Sequence, residues 1–305
     1  MEFTTIEIPV PHYGDNPETL ICPIGDIQWA GEDESVAIGM LARHIEWGAK
    51  QGAWFVGMGD YTDAFSPSNR QAIETAAVYD TTRNVLDSAA TMLVDELYER
   101  ALAPSRGKWI GMLEGHHFHK FQDGTTSDQM LCNKLAAQFL GTSAYIRIRF
   151  RVEGQPKEVG QVLIWCHHGS GGGQRAGAPL NKLEMLPISF EGDIFMMGHT
   201  HKKVATPLDR IVPVFPKGES NSPARLIHRT ILLVSTGGFL RGYVEECKQG
   251  QTPRGNYVEQ KMLPPIALGA PIIRIRPRWK DVEVRSEGKR VSHSTLWVPD
   301  LSVEL

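Results

Sequence analysis

Histidine is the residue type in this chain whose spacing most suggests chemistry. Of its 11 histidines, seven stand in three short stretches: His116, His117 and His119; His167 and His168; His199 and His201. Each stretch closely follows an apolar run, as in WIGMLEGHH, VLIWCHHG and IFMMGHTH. Two further apolar runs, LICPIGD and WFVGMGD, end in aspartates, Asp26 and Asp60. Five strand-like segments thus each deliver an Asp or a His at their C-terminal end, the edge of an α/β sheet where ligands bind. Carboxylates and imidazoles gathered in one crevice are ligands for first-row metal ions. A single strand-end Asp is as often a turn residue, and a single His is more often a hydrogen-bonded surface group. The five occurring in this order carry the reading.

The elements that must position these residues can be read from apolar periodicity. Short runs at 20–25, 53–58 and 109–113 read as buried strands. Helical patterns at 35–50 (Val36, Met40, Leu41 and Ile45 on one face), 71–102 and 128–140 follow them, the last capped by Ser127. Alternating strand and helix indicates an α/β fold. After Gly141 the chain is strand-rich: 144–152 alternates apolar and basic residues, and 161–166, 194–197, 231–235, 272–276 and 281–285 read as further strands. Segments 169–179, 217–223 and 249–265 are Gly- and Pro-rich and read as loops. No linker divides the chain, so residues 1–305 are expected to form one domain of two packed sheets with helices outside. The motif-bearing core would span about 20–240 and the strand-rich remainder 241–305.

Gly25-Asp26-Ile27-Gln28, Gly59-Asp60-Tyr61-Thr62-Asp63, Gly115-His116-His117, His168-Gly169 and Gly198-His199-Thr200-His201 together resemble the motif series of the calcineurin-like metallophosphoesterases. That resemblance implies a two-sheet β-sandwich flanked by helices with a two-metal site at one end. It implies that Asp26, Gln28, Asp60 and His201 hold one ion, and that Asp60 bridges to a second, completed by His116, His168 and His199. A carboxylate has two oxygens and can span two ions, whereas a neutral imidazole offers one nitrogen. His117 matches the histidine that acts beside the leaving group, and Asp63 the carboxylate that orients it. The chain departs from the pattern at Gln28, where the family has His, at His116, where it has Asn, and at Phe118, where it has an acid. An amide oxygen at Gln28 favours a harder ion, so Mn²⁺ is the first expectation, with Zn²⁺, Fe, Ni²⁺ and Co²⁺ as alternatives. Ala64 stands where the protein phosphatases carry a phosphate-gripping Arg, which points away from phosphoprotein substrates.

The activity implied is phosphoester hydrolysis by a two-metal-activated hydroxide, with a phosphodiesterase, including a nuclease, put first. The alternatives are a phosphomonoesterase acting on a small metabolite and an inactive binding scaffold of the same fold. The expected partner is a phosphoester substrate, with nucleic acid admitted and no membrane. Lys+Arg 32 against Asp+Glu 35 leaves a formal net charge of −3, so there is no overall positive field to collect nucleic acid. Four scattered cysteines, no signal-like start and no long apolar stretch point to a cytoplasmic protein. The GSGGG run at 169–173 lacks the Lys-Ser/Thr of a phosphate-binding P-loop and reads as a loop beside the metals. His119 is expected to be solvated and His167 to face away from the site. Lys202, Lys203, Arg241 and Arg254 are weaker candidates for substrate contact.

Overall fold

A computed structural model describes residues 1–10, 18–76, 78–154, 158–173, 175, 177–214, 225–249, 251–286 and 289–305. The expected loop at 217–223 lies outside them. In chain order the elements are β1 (Glu2–Val10), β2 (Thr19–Ile24), α1 (Ile38–Lys50), β3 (Trp54–Gly57), α2 (Pro67–Thr75) and α3 (Asp80–Leu97). Then come β4 (Trp109–Leu113), α4 (Ser127–Lys134), β5 (Phe139–Gly141), β6 (Ser143–Val152), β7 (Glu158–His167), α5 (Ala178–Ser189) and β8 (Ile194–Met197). The rest comprises β9 (Lys203–Val214), β10 (Arg225–Thr236), the short pair β11 (Lys248–Gln249) and β12 (Thr252–Pro253), α6 (Tyr257–Gln260), β13 (Ile272–Arg276), β14 (Trp279–Ser286), β15 (Lys289–Trp297) and β16 (Asp300–Glu304).

Two six-stranded sheets form, in the orders β1-β6-β7-β8-β10-β9 and β16-β13-β2-β3-β4-β5. They pack face to face. β6 shows why: Ala144, Ile146, Ile148 and Phe150 alternate inward and are fully buried. The outward-facing Arg149 and Arg151 pair with Glu7 of β1 at 3.1 and 3.3 Å. Val56, Met58, Ile110 and Leu140 of the second sheet meet that inner face. Ile38, Leu41 and Ile45 of α1 and Val94 and Leu97 of α3 cover the outer face of the second sheet, against Cys22, Phe55 and Trp109. Leu183 of α5 covers the outer face of the first, against Trp165, Phe195 and Leu233. The architecture is therefore a mixed α/β two-sheet sandwich with helices on both outer faces.

Several expected boundaries move, each for a local reason. The 71–102 pattern is two helices. Ser66 Oγ caps α2 by accepting from Asn69 N at 3.3 Å, with Pro67 in the first turn, and Ala76 and Tyr79 then turn extended before α3 begins at Asp80. α4 is capped by Thr126 rather than Ser127, in a reciprocal box with Gln129. It stops at Lys134, not 140, because Ala136 takes a left-handed conformation (φ 55°) that frees 139–141 to pair with β4. Met40 of α1 is 39% exposed and lies off the buried face. β1, α5, β9, β15 and β16 form where no element is expected, and the short α6 forms within the expected loop 249–265. No helix among the described residues is long and apolar enough to cross a membrane.

Candidate metal centre

The parallel strands β2, β3 and β4 end at one edge of their sheet, and the parallel pair β7 and β8 ends beside it in the other. Asp26, Asp60, the His116–His117 loop, His168 and the 199–201 turn follow those five ends. Their loops are laced together by backbone. Asp26 N donates to Gly59 O at 3.0 Å, and Ile27 N and Gln28 N donate to Asp60 O at 2.9 and 3.0 Å. His199 N donates to Asp26 Oδ2 at 2.8 Å, which ties one sheet to the other.

Backbone conformation sets the expected ligands apart. Nine non-glycine residues among those described have a positive φ, and five are Asp26 (49°), Gln28 (53°), Asp60 (55°), His199 (68°) and His201 (55°). A left-handed conformation costs roughly 1–2 kcal/mol for a residue with a Cβ. Such strain collects where a site demands a particular side-chain direction. In 199–201 the turn lets two residues that are neighbours but one both face the site, which a regular strand places a full repeat apart. Gly115 is required by closeness: a Cβ there would overlap the backbone nitrogen of Asp60.

Asp60, His116, His168 and His199 each offer a donor atom, and these atoms lie within 4.8 Å of one another. His116 Nδ1 and His199 Nδ1 are 3.3 Å apart. His168 Nε2 is 3.1 Å from Asp60 Oδ2 yet is not aligned for a hydrogen bond, while its Nδ1 bonds Met58 O at 2.7 Å. That backbone contact orients the ring and leaves Nε2 to the centre. Asp26 and His201 stand together, with His201 Nε2 3.8 Å from Asp26 Oδ1. Asp26 Oδ1, His168 Nε2 and His201 Nδ1 are all buried without a hydrogen-bond partner. Buried polar atoms left unpaired are rare and costly, and a cation-binding role explains three of them in one site. This donor set of imidazole nitrogens and carboxylate oxygens fits a divalent first-row ion. Gln28 is buried and tied to Asp60 through its backbone N–H.

Burial and close mutual placement shift the ionisation of these groups. Burial lifts the Asp26 carboxyl to about 6, against the pull of His201 and His168. Burial also opposes charge on Asp60, but His168, His117 and the His116 N–H outweigh it and hold the carboxyl well below the usual range. For His168, burial is overcome by Asp60, and the imidazole rises to about 9. Burial and the neighbouring imidazoles push His199 down to about 4 and lower His116 as well.

His117 stands beside this group with its Nδ1 2.8 Å from Asp63 Oδ1. Burial disfavours its charged form, yet the hydrogen bond and charge of Asp63 and the charge of Asp60 leave its pKa raised. His119 is not solvated. It is buried, with Nε2 2.6 Å from Asp87 Oδ1 and its ring between Phe65 and Phe121. Aromatic neighbours and a carboxylate from α3 replace water there. His167 accepts from Gly169 N at 2.7 Å and stacks on Trp165. Lys202 donates to the carbonyls of Gly173 and Arg175, and Lys203 to Leu268 O at 3.3 Å, so both ammonium groups are engaged by backbone.

Two residues given no role in the sequence reading also serve the centre. Asp128, at the start of α4, is fully buried and accepts from Gly115 N at 2.9 Å, and burial raises its carboxyl to about 7. Tyr61 donates its hydroxyl to Leu113 O at 2.8 Å, joining the ends of β3 and β4.

No protein-family model and no curated protein matches the sequence. Among solved structures the chain is similar to a conserved uncharacterized protein, a predicted phosphoesterase, from Streptococcus pneumoniae TIGR4. The two are 11% identical over 92% of this chain and 98% of that one, with a TM-score of 0.31. A likeness at that level carries no weight for the function.

Proposed function

We propose that this chain is a metal-dependent phosphoester hydrolase, and that it acts on phosphodiesters. The observation that carries the reading is the convergence of Asp60, His116, His168 and His199 within 4.8 Å, with the His117–Asp63 pair beside them. Asp60, His116, His168 and His199 would hold one divalent ion, and Asp26, Gln28 and His201, sharing Asp60, a second. Bound there, such ions supply Lewis-acid stabilisation of phosphoryl oxygens and a nucleophile at neutral pH; Mn²⁺ is our first choice, on the amide oxygen of Gln28.

The residues supply the remainder. Asp63 accepts from His117 Nδ1 and so leaves Nε2 as the atom carrying a transferable proton. A proton delivered from there to the leaving oxygen is general-acid assistance. The preference for diesters rests on Ala64, which offers no guanidinium to a terminal phosphate, and on the openness of the acid, since His117 and Asp63 side chains are 23% and 39% exposed. An accessible acid admits an ester with groups on both sides of phosphorus.

The test is hydrolysis of bis-p-nitrophenyl phosphate with added Mn²⁺, run beside p-nitrophenyl phosphate. Faster turnover of the diester is expected. Preference for the monoester would redirect the substrate class, and no turnover of either with Mn²⁺, Ni²⁺, Co²⁺ or Zn²⁺ would make the chain a binding scaffold.

A further inference from the structure

Arg70 lies in the first half of α2, ten residues after Asp60, and makes no ion pair among the described residues. Its Nη1 instead donates to two backbone carbonyls of another segment, His116 O at 3.0 Å and Phe118 O at 2.8 Å. Its guanidinium plane lies over the Phe118 ring, 3.8 Å from the centroid. The two carbonyls flank His117. The peptide joining His116 to His117 is thereby held at both ends, since its N–H donates to Asp60 Oδ1 at 3.0 Å while its C=O accepts from Arg70. Asp60 fixes this loop from the metal side and Arg70 from the outside.

Holding one peptide from both sides fixes the direction in which the next side chain leaves the backbone. The histidine that follows is His117, whose imidazole is held by Asp63 at 2.8 Å. A planar cation suits the task. It can reach two carbonyls from one edge while its face rests on an aromatic ring, which a lysine ammonium does not reproduce. The ring is Phe118, the residue standing where the resembled family has an acid. We propose that Arg70 is a positioning residue for the phosphoester reaction: by gripping the carbonyls on either side of His117 and stacking on Phe118, it sets the place of the His117 imidazole. This rests on the hydrolase reading of the same site.

The experiment compares wild type, Arg70→Ala and Arg70→Lys by two measurements. The first is steady-state hydrolysis of bis-p-nitrophenyl phosphate, with and without guanidinium chloride at a non-denaturing concentration. The second is hydrogen exchange of the 114–119 segment. Misplacing a catalytic group by about 1 Å can cost on the order of 100-fold, so Arg70→Ala should lose about tenfold to 100-fold in kcat with KM changed less than about threefold. Guanidinium should restore part of that loss, Arg70→Lys should fall between, and exchange should quicken in 114–119 while the sheets keep their protection. A raised KM with unchanged kcat would overturn the proposal and make Arg70 a substrate contact. Unchanged exchange in 114–119 would overturn it too, and that measurement needs no turnover: a wild type without activity sinks the hydrolase reading, whereas exchange alone decides whether Arg70 holds the loop.

Discussion

Asp60 directs one carboxylate oxygen at backbone and the other at an imidazole. Oδ1 accepts from the amides of His116 and His117, and Oδ2 lies 3.1 Å from His168 Nε2. Its removal should therefore empty the centre, whereas His117, held by Asp63, is outside the clustered donors. Asp60→Ala should lose metal by elemental analysis; His117→Ala should keep it and lose about 100-fold or more in rate. Equal metal loss in both would refute the division. The pH dependence is set at the same scale. Because the His117 pKa is raised, its protonated form persists above the ordinary histidine range, and a rate that needs this proton falls only as pH climbs through the raised value. In Asp63→Asn the carboxylate is gone, so the alkaline limb of kcat should move to lower pH, and a limb that stays put would exclude His117 as the acid. These residues were legible because five apolar runs along the chain are each followed by an Asp or a His. Arg70 and Asp128 were not, because they touch the centre through backbone groups that any residue type would present.

Elements were legible where periodicity was strong and hidden where one residue changed the backbone's course. The strand 109–113 and its neighbours show in sequence as unbroken apolar runs. The end of α4 does not, because it depends on Ala136 taking φ 55°, a conformation that sequence associates with glycine. Ala136 is exposed, so nothing packed against its methyl compensates the strain. Ala136→Gly should relieve about 1 kcal/mol of left-handed strain and give back part of it as unfolded-state entropy. A net gain of about 0.5 kcal/mol in urea denaturation is expected. Thr126→Ala at the other end of the helix removes the hydroxyl that accepts from Gln129 N and should cost about 1 kcal/mol. If Ala136→Gly destabilises, the helix does not end in the conformation described.

At the scale of the whole molecule, the sandwich follows from burying the inner faces of two sheets against each other, and alternation in 144–152 already implies one such face. What sequence patterns could not supply was which sheet edges meet, since β1 pairs with β6 and β13 with β2 through contacts remote along the chain. The meeting of those edges gathers charges that a cation would offset, and that couples stability to pH. Without metal, Asp26 at about 6 and His168 at about 9 both bind protons more readily than they would in the unfolded chain. Their contribution is therefore present at low pH and is lost as pH rises through those values. Asp60, with its depressed pKa, has the opposite sign, but it stays ionised throughout pH 5–9 and drops out of the comparison. Held as proposed, metal would require Asp26 ionised and His168 neutral, so protons would compete with it most strongly at pH 5. The melting temperature of the metal-loaded protein should exceed that of the chelator-treated protein by a margin that widens from pH 5 to pH 9. With free metal at about 100 times its Kd, the stabilisation is about 2.7 kcal/mol, on the order of 5 °C for a chain of this size. A margin that narrows with rising pH would mean that these two groups do not hold metal.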